Sequence, residues 1–544
     1  MKKPGLKIYL PVLLSFVLLI GIFLGNHMTI TPGSGWSMFK TEDRAYGHLI
    51  DVINLIQQDY VDELSAEEIG VAAVKSLLET LDPHSDYIPP GRFDELNDPL
   101  EGNFDGIGVQ FRMVKDTIIV IQAIPQGPSE KVGIMAGDRI VKVNGKSVAG
   151  ENIPTDSIVR MLKGPKGTKV EVDIFRPGSK EIMNFDIKRG KIPTYSLDIA
   201  YMVNQTTAYV KLNKFSATTD EELHEALKEL KAEGMQELIL DLRGNGGGYL
   251  SAAIRVADEF LKKGELIVYT EGKSRPRREE EGTNYGVFEQ GALVVLIDEL
   301  SASASEIVAG AVQDNGRGTI IGRRSFGKGL VQEQMQLENG GAIRLTVARY
   351  HTPSGRSIQK SYKNGNPEDY YLELLNRYQA GEMNSEDSVP RDSAEFYLTQ
   401  DGDTVYGGGG IYPDIFIPLQ SEWPNDLAQE LVQRGLIFRF AFQYTDKNRA
   451  AFQQYPLAED FNREFQVSST LMNNFKTYIS NSGMTVKQNE FNKAQEFIRY
   501  RMKAFIGRNL FDNEGFYPTL NQIDSGFKEA VNYLEQQKKG STSQ

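Results

Sequence analysis

Cysteine is absent from this 544-residue chain, and histidine is scarce, at five residues. The first absence removes disulfides, thiolate metal sites and cysteine nucleophiles together. The second leaves His27, His48, His84, His224 and His351, none paired at metal-ligand spacing, so no metal is expected. A basic excess is missing too: 60 Lys and Arg face 73 Asp and Glu, a formal charge of −13, which argues against a nucleic-acid partner. What is present is ordinary globular composition, 40% hydrophobic and 24% charged, in a chain long enough for two to four domains.

The long hydrophobic run lies at the start. Lys2, Lys3 and Lys7 precede the uncharged residues 8–25, which are rich in Leu, Ile, Val and Phe and just long enough to cross a bilayer as a helix. The lysines favour a cytoplasmic N-terminus and put everything after residue 26 on the far side of the membrane. No A-x-A-like site follows the run, so a retained signal anchor is expected rather than a cleaved signal peptide.

The pattern then changes four times. Over residues 41–97 apolar positions such as Leu49, Ile50, Val52, Ile53 and Ile56, then Val71, Val74, Leu77 and Leu78, recur at helical spacing until Leu81-Asp82-Pro83-His84-Ser85 breaks it. Residues 98–190 read as a small barrel-like module, with short strands at 108–111, 117–121, 139–143 and 170–175, a tight turn at Asn144-Gly145 and one helix over 156–162. From 191 to 365 strands alternate with helices. The continuous apolar runs 238–242 and 293–297 predict strands buried on both faces of a largely parallel sheet, each followed by a helix. The charged stretch 272–286 reads as a surface loop, and residues 366–544 as a polar, then mainly helical extension with no motif tied to chemistry.

Four constellations carry chemistry. Gly106-Ile107-Gly108-Val109 can turn backbone N–H groups toward an anion and lead into a strand able to pair with a peptide. Asp241-Leu242-Arg243-Gly244-Asn245-Gly246-Gly247-Gly248, between a buried strand and a helix, fails the dinucleotide fingerprint at Tyr249 and suits an oxyanion hole. Ser301-Ala302-Ser303-Ala304-Ser305-Glu306 puts serines at the positive end of a helix. Ser303 and Glu306 also make a capping box, and the residues alone do not choose among the three serines. Gly322–Gly329 matches a nucleotide-binding loop until Gly329 replaces the magnesium-binding hydroxyl, and a strand pattern follows instead of a helix. Within it, Lys328 is flanked by glycines and by Phe326, Leu330 and Val331. A lysine desolvated in that way has a lowered pKa and can act as a general base. His84 and His351 show no acid partner for a histidine triad.

The order of these motifs, together with Arg349-Tyr350-His351-Thr352-Pro353-Ser354-Gly355-Arg356, resembles the carboxyl-terminal processing peptidases, or tail-specific proteases, over residues 45–365; residues 98–190 resemble a PDZ domain. The resemblance implies a serine–lysine dyad on a core related to the crotonase fold, with Ser303 as nucleophile, Lys328 as base and Gln332 orienting it. It implies oxyanion donors at Ala304 and at Gly247 or Gly248, and a carboxylate-binding loop at Gly106, Ile107, Gly108 and Val109. Glu306 is expected at least to cap its helix. His351 departs from the pattern, standing where an aromatic such as tyrosine is expected.

The expected whole is an α/β multidomain chain: an anchor over 1–30, a helical region over 41–97, an inserted PDZ module over 98–190, a crotonase-like protease core over 191–365 and a helical extension over 366–544. It is a single-pass inner-membrane endopeptidase with its catalytic domains on the periplasmic side, and it needs no cofactor. Its partners are protein or peptide substrates with free C-termini, with a homo-oligomer or an adaptor left open. The competing reading is a catalytically inactive tail-binding PDZ scaffold.

Overall fold

Two of the apolar runs become neighbouring parallel strands, Glu237–Asp241 and Ala292–Ile297, in the computed structural model, which describes residues 43–541 other than 94–97, 99, 115, 180, 363–366 and 392–394, together with Ser15 and Leu18. They lie in a six-stranded sheet whose order is Leu197–Met202, Thr207–Leu212, Glu237–Asp241, Ala292–Ile297, Thr319–Gly322 and Ile415–Phe416. Only the first pair is antiparallel. The reason for unbroken apolarity is visible in the packing. Leu238, Leu240, Val295 and Ile297 pack on one face among Leu223, Leu227, Val256 and Val308 from helices Thr219–Ala232, Leu250–Asp258 and Ala304–Asp314. Ile239, Val294 and Leu296 pack on the other, against Phe527, Ala530 and Leu534 of helix Ser525–Ser541. With a side-chain period of two, a strand covered on both sides has no position left for a polar residue. The C-terminal extension thus supplies both an edge strand and one covering layer of this sheet.

A second, antiparallel sheet runs Asp86–Ile88, Ala342–His351, Leu266–Gly272, Arg275–Glu281, with Leu330–Gln336 also paired to Ala342–His351. It overturns the loop expected over 272–286: Arg275–Glu281 is a strand paired with Leu266–Gly272. Both of its faces are largely exposed, so it carries charges at every position after Pro276 and shows no alternation to read.

The PDZ module has strands Val109–Met113, Ile118–Ala123, Arg139–Val143, Lys169–Phe175 and Ile182–Lys188 in that sheet order, and helix Thr155–Leu162 buries Ile158 and Leu162 in their core. Val109–Met113 is one of its two edge strands. The later part of the extension forms its own helical core, in which Leu431, Phe461, Phe475 and Ile498 are fully buried. Its helix Gln488–Leu520 breaks at Phe511 and Asp512.

Residues 1–74 and 75–544 separate as two compact units. The first contains helix Asp43–Asp59 and the start of helix Ala66–Glu79, whose capping box joins Ser65 and Glu68 (Glu68 N–H to Ser65 Oγ, 3.1 Å; Ser65 N–H to Glu68 Oε2, 2.9 Å). Among the described residues no helix is long and apolar enough to cross a membrane. The run 8–25 expected to do so lies, apart from Ser15 and Leu18, outside them.

Candidate active site

The three serines of the 301–305 segment have different surroundings. Ser301 Oγ donates to Leu242 O (2.9 Å) and Ser305 Oγ to Asn245 O (2.8 Å), and both residues are fully buried. These two hydroxyls tie the segment to the glycine-rich loop. Ser303 is the one of the three that is partly exposed. Its backbone has φ 56° and ψ −111°, a conformation that costs a non-glycine residue energy and that is typically held at functional sites by its surroundings. Gly247 lies directly against it: a Cβ there would sit 2.7 Å from Ala302 O, 2.8 Å from Ser303 Cβ and 3.0 Å from Ala304 N, so only glycine fits.

The same loop separates its own N–H groups. Gly247 N–H donates to Asn245 Oδ1 (2.9 Å), whereas among the described residues those of Ala304 and Gly248 have no protein acceptor. The loop is held from below by Asp241, which accepts from Tyr209 Oη (2.7 Å), Lys211 Nζ (3.0 Å) and Arg243 Nη2 (2.6 Å). Burial alone would raise this carboxyl, but Arg243 and Lys211 hold it well below the usual range. Arg243 in turn is clamped by Asp524 of the extension (2.9 and 3.0 Å).

Lys328 stands in the turn between strands Thr319–Gly322 and Leu330–Gln336. Burial, followed by the like charge of Arg344, pushes its amine below the ordinary lysine value against the opposing pull of Glu306 and Asp82. Among the described residues its Nζ makes no hydrogen bond or ion pair. Gln332, expected to orient it, instead donates from Nε2 to Thr346 Oγ1 (3.4 Å), and Thr346 Oγ1 donates to Asp82 Oδ1 (3.0 Å).

Two groups connect the serine turn to the lysine turn. Glu306, fully buried, takes the Ser303 N–H (2.7 Å) and the Lys328 N–H (2.9 Å) on Oε2, and Ser325 Oγ (2.5 Å) and the Gly327 N–H (2.7 Å) on Oε1. Because one oxygen accepts from both, the nitrogens of Ser303 and Lys328 are less than about 6 Å apart. Tyr350 Oη reaches the carbonyls of the same two residues, Ser303 O (3.1 Å) and Lys328 O (2.6 Å). Burial pushes the Glu306 carboxyl up while its four donors oppose that shift. The 322–329 turn is therefore no phosphate cradle. Its Ser325, Phe326, Gly327, Lys328 and Gly329 N–H groups all go to protein acceptors, and Glu306 already fills the anion position.

Sequence reasoning missed two contributors. Glu306 was legible only as a cap, since its other partners lie about twenty residues on. His84 reaches Tyr370 Oη (3.1 Å), and burial and then Lys328 push its pKa down to about 4. The signal was the proline-broken Leu81–Ser85 segment, whose Asp82 and Ser85 bond Thr346. His351 instead stacks on Tyr269, with ring centroids 4.7 Å apart, and faces Gly355 O.

In the PDZ module, Gly106, Ile107, Gly108 and Val109 line a cavity of about 160 Å³ closed by Val159 and Leu162 of the helix. Among the described residues the N–H groups of Ile107 and Gly108 have no protein acceptor. An edge strand, free donors and an apolar slot are what a peptide that adds as a strand requires.

Residues 206–371 match the model of peptidase family S41, residues 106–188 that of the PDZ domain, and residues 427–512 a family of unknown function, DUF8443. The chain is 35% identical over 347 residues to a carboxy-terminal-processing protease of Bartonella bacilliformis, covering 62% of this chain and 78% of that one. It is 32% identical over 367 residues to the carboxy-terminal processing protease CtpA of Bacillus subtilis, covering 66% and 76%. Among solved structures, a photosystem II D1 C-terminal processing protease aligns over 70% of this chain and 94% of that one, at 24% identity and a TM-score of 0.35. The matched family segment contains both the Ser303 and Lys328 turns, and with these relatives covered over more than two thirds of their length the chain belongs to the carboxy-terminal processing proteases, serine peptidases of family S41 with a PDZ domain.

Proposed function

We propose that this protease is a membrane-anchored endopeptidase that cuts C-terminal tails of exported proteins, on a crotonase-related core, with Ser303 as nucleophile and Lys328 as base. The observation that carries the reading is the double tie between the two turns: Glu306 and Tyr350 each bond both Ser303 and Lys328. The neutral lysine takes the Ser303 Oγ proton as the oxygen attacks the scissile carbonyl carbon, and then protonates the leaving amine. A water, deprotonated by the same amine, hydrolyses the acyl-enzyme ester. Ala304 and Gly248 donate their unengaged N–H groups to the oxyanion, a role closed to Gly247 while Asn245 holds its N–H. With Nε2 of Gln332 on Thr346, its Oε1 is the end that accepts from the protonated lysine. The substrate's carboxylate docks at Gly106, Ile107, Gly108 and Val109, and the tail adds to the edge strand. The run 8–25 anchors the chain, with these domains on the periplasmic side of the inner membrane.

One experiment tests nucleophile and anchor together. In membranes washed with alkaline carbonate, a serine-directed phosphonate is expected to label Ser303 and to leave the Ser303→Ala chain unlabelled. Label confined to the soluble fraction rejects the anchor, and absence of label in both fractions leaves the inactive tail-binding scaffold.

The base assignment has its own signature in pH. Lys328 works only when deprotonated, so kcat/KM rises as pH rises through its lowered pKa. Arg344 is a cation that lowers that pKa, so Arg344→Gln is expected to move the rise to higher pH. Asp82 raises it, so Asp82→Asn is expected to move the rise the opposite way. Shifts of the same sign in both variants, or none, are incompatible with Lys328 as the titrating base.

A further inference from the structure

The turn that carries Lys328 is held by two groups of opposite chemistry. A carboxylate, Glu306, gathers the N–H groups of Gly327 and Lys328. A guanidinium gathers carbonyls of the same turn: Arg377 donates from Nη2 to Arg324 O (2.7 Å) and from Nη1 to Ser325 O (2.9 Å). Its Nε donates to Glu382 Oε1 (2.8 Å). Arginine suits this place, because its donors form a rigid, planar fork that meets several acceptors at once and never loses its charge.

Arg377 is itself fixed. Its side chain is 4% exposed and that of Glu382 3%, and the same carboxylate takes both Nε and Nη2 of Arg324 (2.8 and 2.7 Å). Arg324 therefore meets Arg377 twice, through its own carbonyl and through the carboxylate they share. A buried guanidinium whose donors all face charged or carbonyl partners is costly to displace, so the fork keeps one geometry.

Helix Pro367–Gln379, which carries Arg377, turns a polar face inward. Tyr370, Glu373 and Arg377, spaced three and four residues apart, lie on that face. Tyr370 Oη accepts from Gln359 Nε2 (3.4 Å), and Gln359 Oε1 accepts the Gly329 N–H (2.8 Å). Glu373 accepts from Lys360 Nζ (2.9 Å), whose ammonium lies 3.8 Å from the centre of the Phe326 ring. Tyr371, Leu372, Leu375 and Tyr378, by contrast, are each about half exposed. A helix that leaves its large apolar side chains in solvent gains little from burial, so its polar contacts are what join it to the turn. Arg377 and Glu382 lie beyond the segment 206–371 that matches the family model, in a part of the chain whose sequence shows no motif tied to chemistry.

We infer that Arg377 is a positioning residue for the base. By fixing the carbonyls of Arg324 and Ser325 it sets the path of the chain into Phe326-Gly327-Lys328, and with it the reach of Lys328 Nζ toward Ser303 Oγ. The inference rests on the reading of Lys328 as general base. It gives the extension a part in the chemical step, although Arg377 touches none of the reacting atoms.

The test compares the full chain with its Arg377→Met and Arg377→Lys variants, reading kcat and KM on one unstructured polypeptide substrate. Methionine keeps an apolar stem and removes the fork. Its kcat is expected to fall about 100-fold, the loss brought by a catalytic group misplaced by about 1 Å, while KM stays within about twofold of the parent. Lysine keeps the charge beside Glu382 and can meet one carbonyl, so its kcat is expected to fall only about 10-fold. A residue that merely anchors the helix would change the melting temperature and hydrogen exchange along residues 367–379 and leave kcat at the parent value in both variants. That result overturns the inference, and so does a fall in kcat/KM carried by KM. Where the methionine variant fails to fold, the lysine variant decides by the same criteria. Lys328→Met in the same assay reports on the base alone. Cleavage that survives it removes the base reading and the inference together, whereas an inactive Lys328→Met beside parent-like kcat in the Arg377 variants overturns the positioning role and leaves the base in place.

Discussion

Replacing Lys328 by methionine is expected to lower tail cleavage by about 10⁴-fold or more, while the melting temperature stays unchanged or rises. The two effects have one cause. Lys328 is half-buried and its Nζ has no acceptor among the described residues; burial and then the charge of Arg344 destabilise its charged form, the direction that a proposed general base requires. Methionine keeps the length of the stem and removes the amine, which relieves the cost and ends the chemistry. Ser303→Ala is expected to match it in activity loss, because nucleophile and base act as one unit and removing either removes the step. The double variant should then be no slower than either single one. Cleavage retained by Lys328→Met at more than a few per cent would assign the proton to another group, of which His84, bonded to Tyr370, is the nearest candidate in kind.

Legibility in the sequence followed how local the cause was. The strands Glu237–Asp241 and Ala292–Ile297 were readable because burial on both faces writes itself as unbroken apolar residues. The PDZ module was readable because its turns need glycine at fixed places, as at Gly108 with φ 73°. Arg275–Glu281 was not, since a strand exposed on both sides has no hydrophobic period. Helix Ser525–Ser541 was visible as a helix. That it covers the core sheet is set by partners such as Tyr209 and Ile239, roughly three hundred residues earlier, and no local pattern encodes such a pairing. The site divides in the same way. Glycines and serines announced the two turns, but the choice among Ser301, Ser303 and Ser305 needed the carbonyls of Leu242 and Asn245, which occupy the outer two hydroxyls.

Glu306 separates a capping residue from a cross-link between the two turns, and paired substitutions tell them apart. As a cap alone, its loss to alanine would cost about 1 kcal/mol, glutamine would keep the cap, and both variants would leave catalysis nearly intact. As a cross-link, Glu306→Ala strands the N–H groups of Ser303, Gly327 and Lys328 together with Ser325 Oγ; at about 1–3 kcal/mol for each buried group left unpaired, the loss is on the order of 4 kcal/mol or more. It also frees both turns, and kcat is expected to fall by about 10³-fold. Glu306→Gln behaves differently. Its one remaining oxygen can stay on Ser303 and Lys328, while its NH2 group turns to Ser325, whose hydroxyl can accept as well as donate. The Gly327 N–H and the Ser325 hydroxyl proton are then left unpaired, against four groups in Glu306→Ala, and the expected loss of kcat is about 10-fold. Hydrogen exchange at residues 323–329 should accelerate strongly in Glu306→Ala and weakly in Glu306→Gln. Two variants equal to each other and close to the parent enzyme in both measurements would reduce Glu306 to a helix cap and leave Tyr350 as the link between the Ser303 and Lys328 turns.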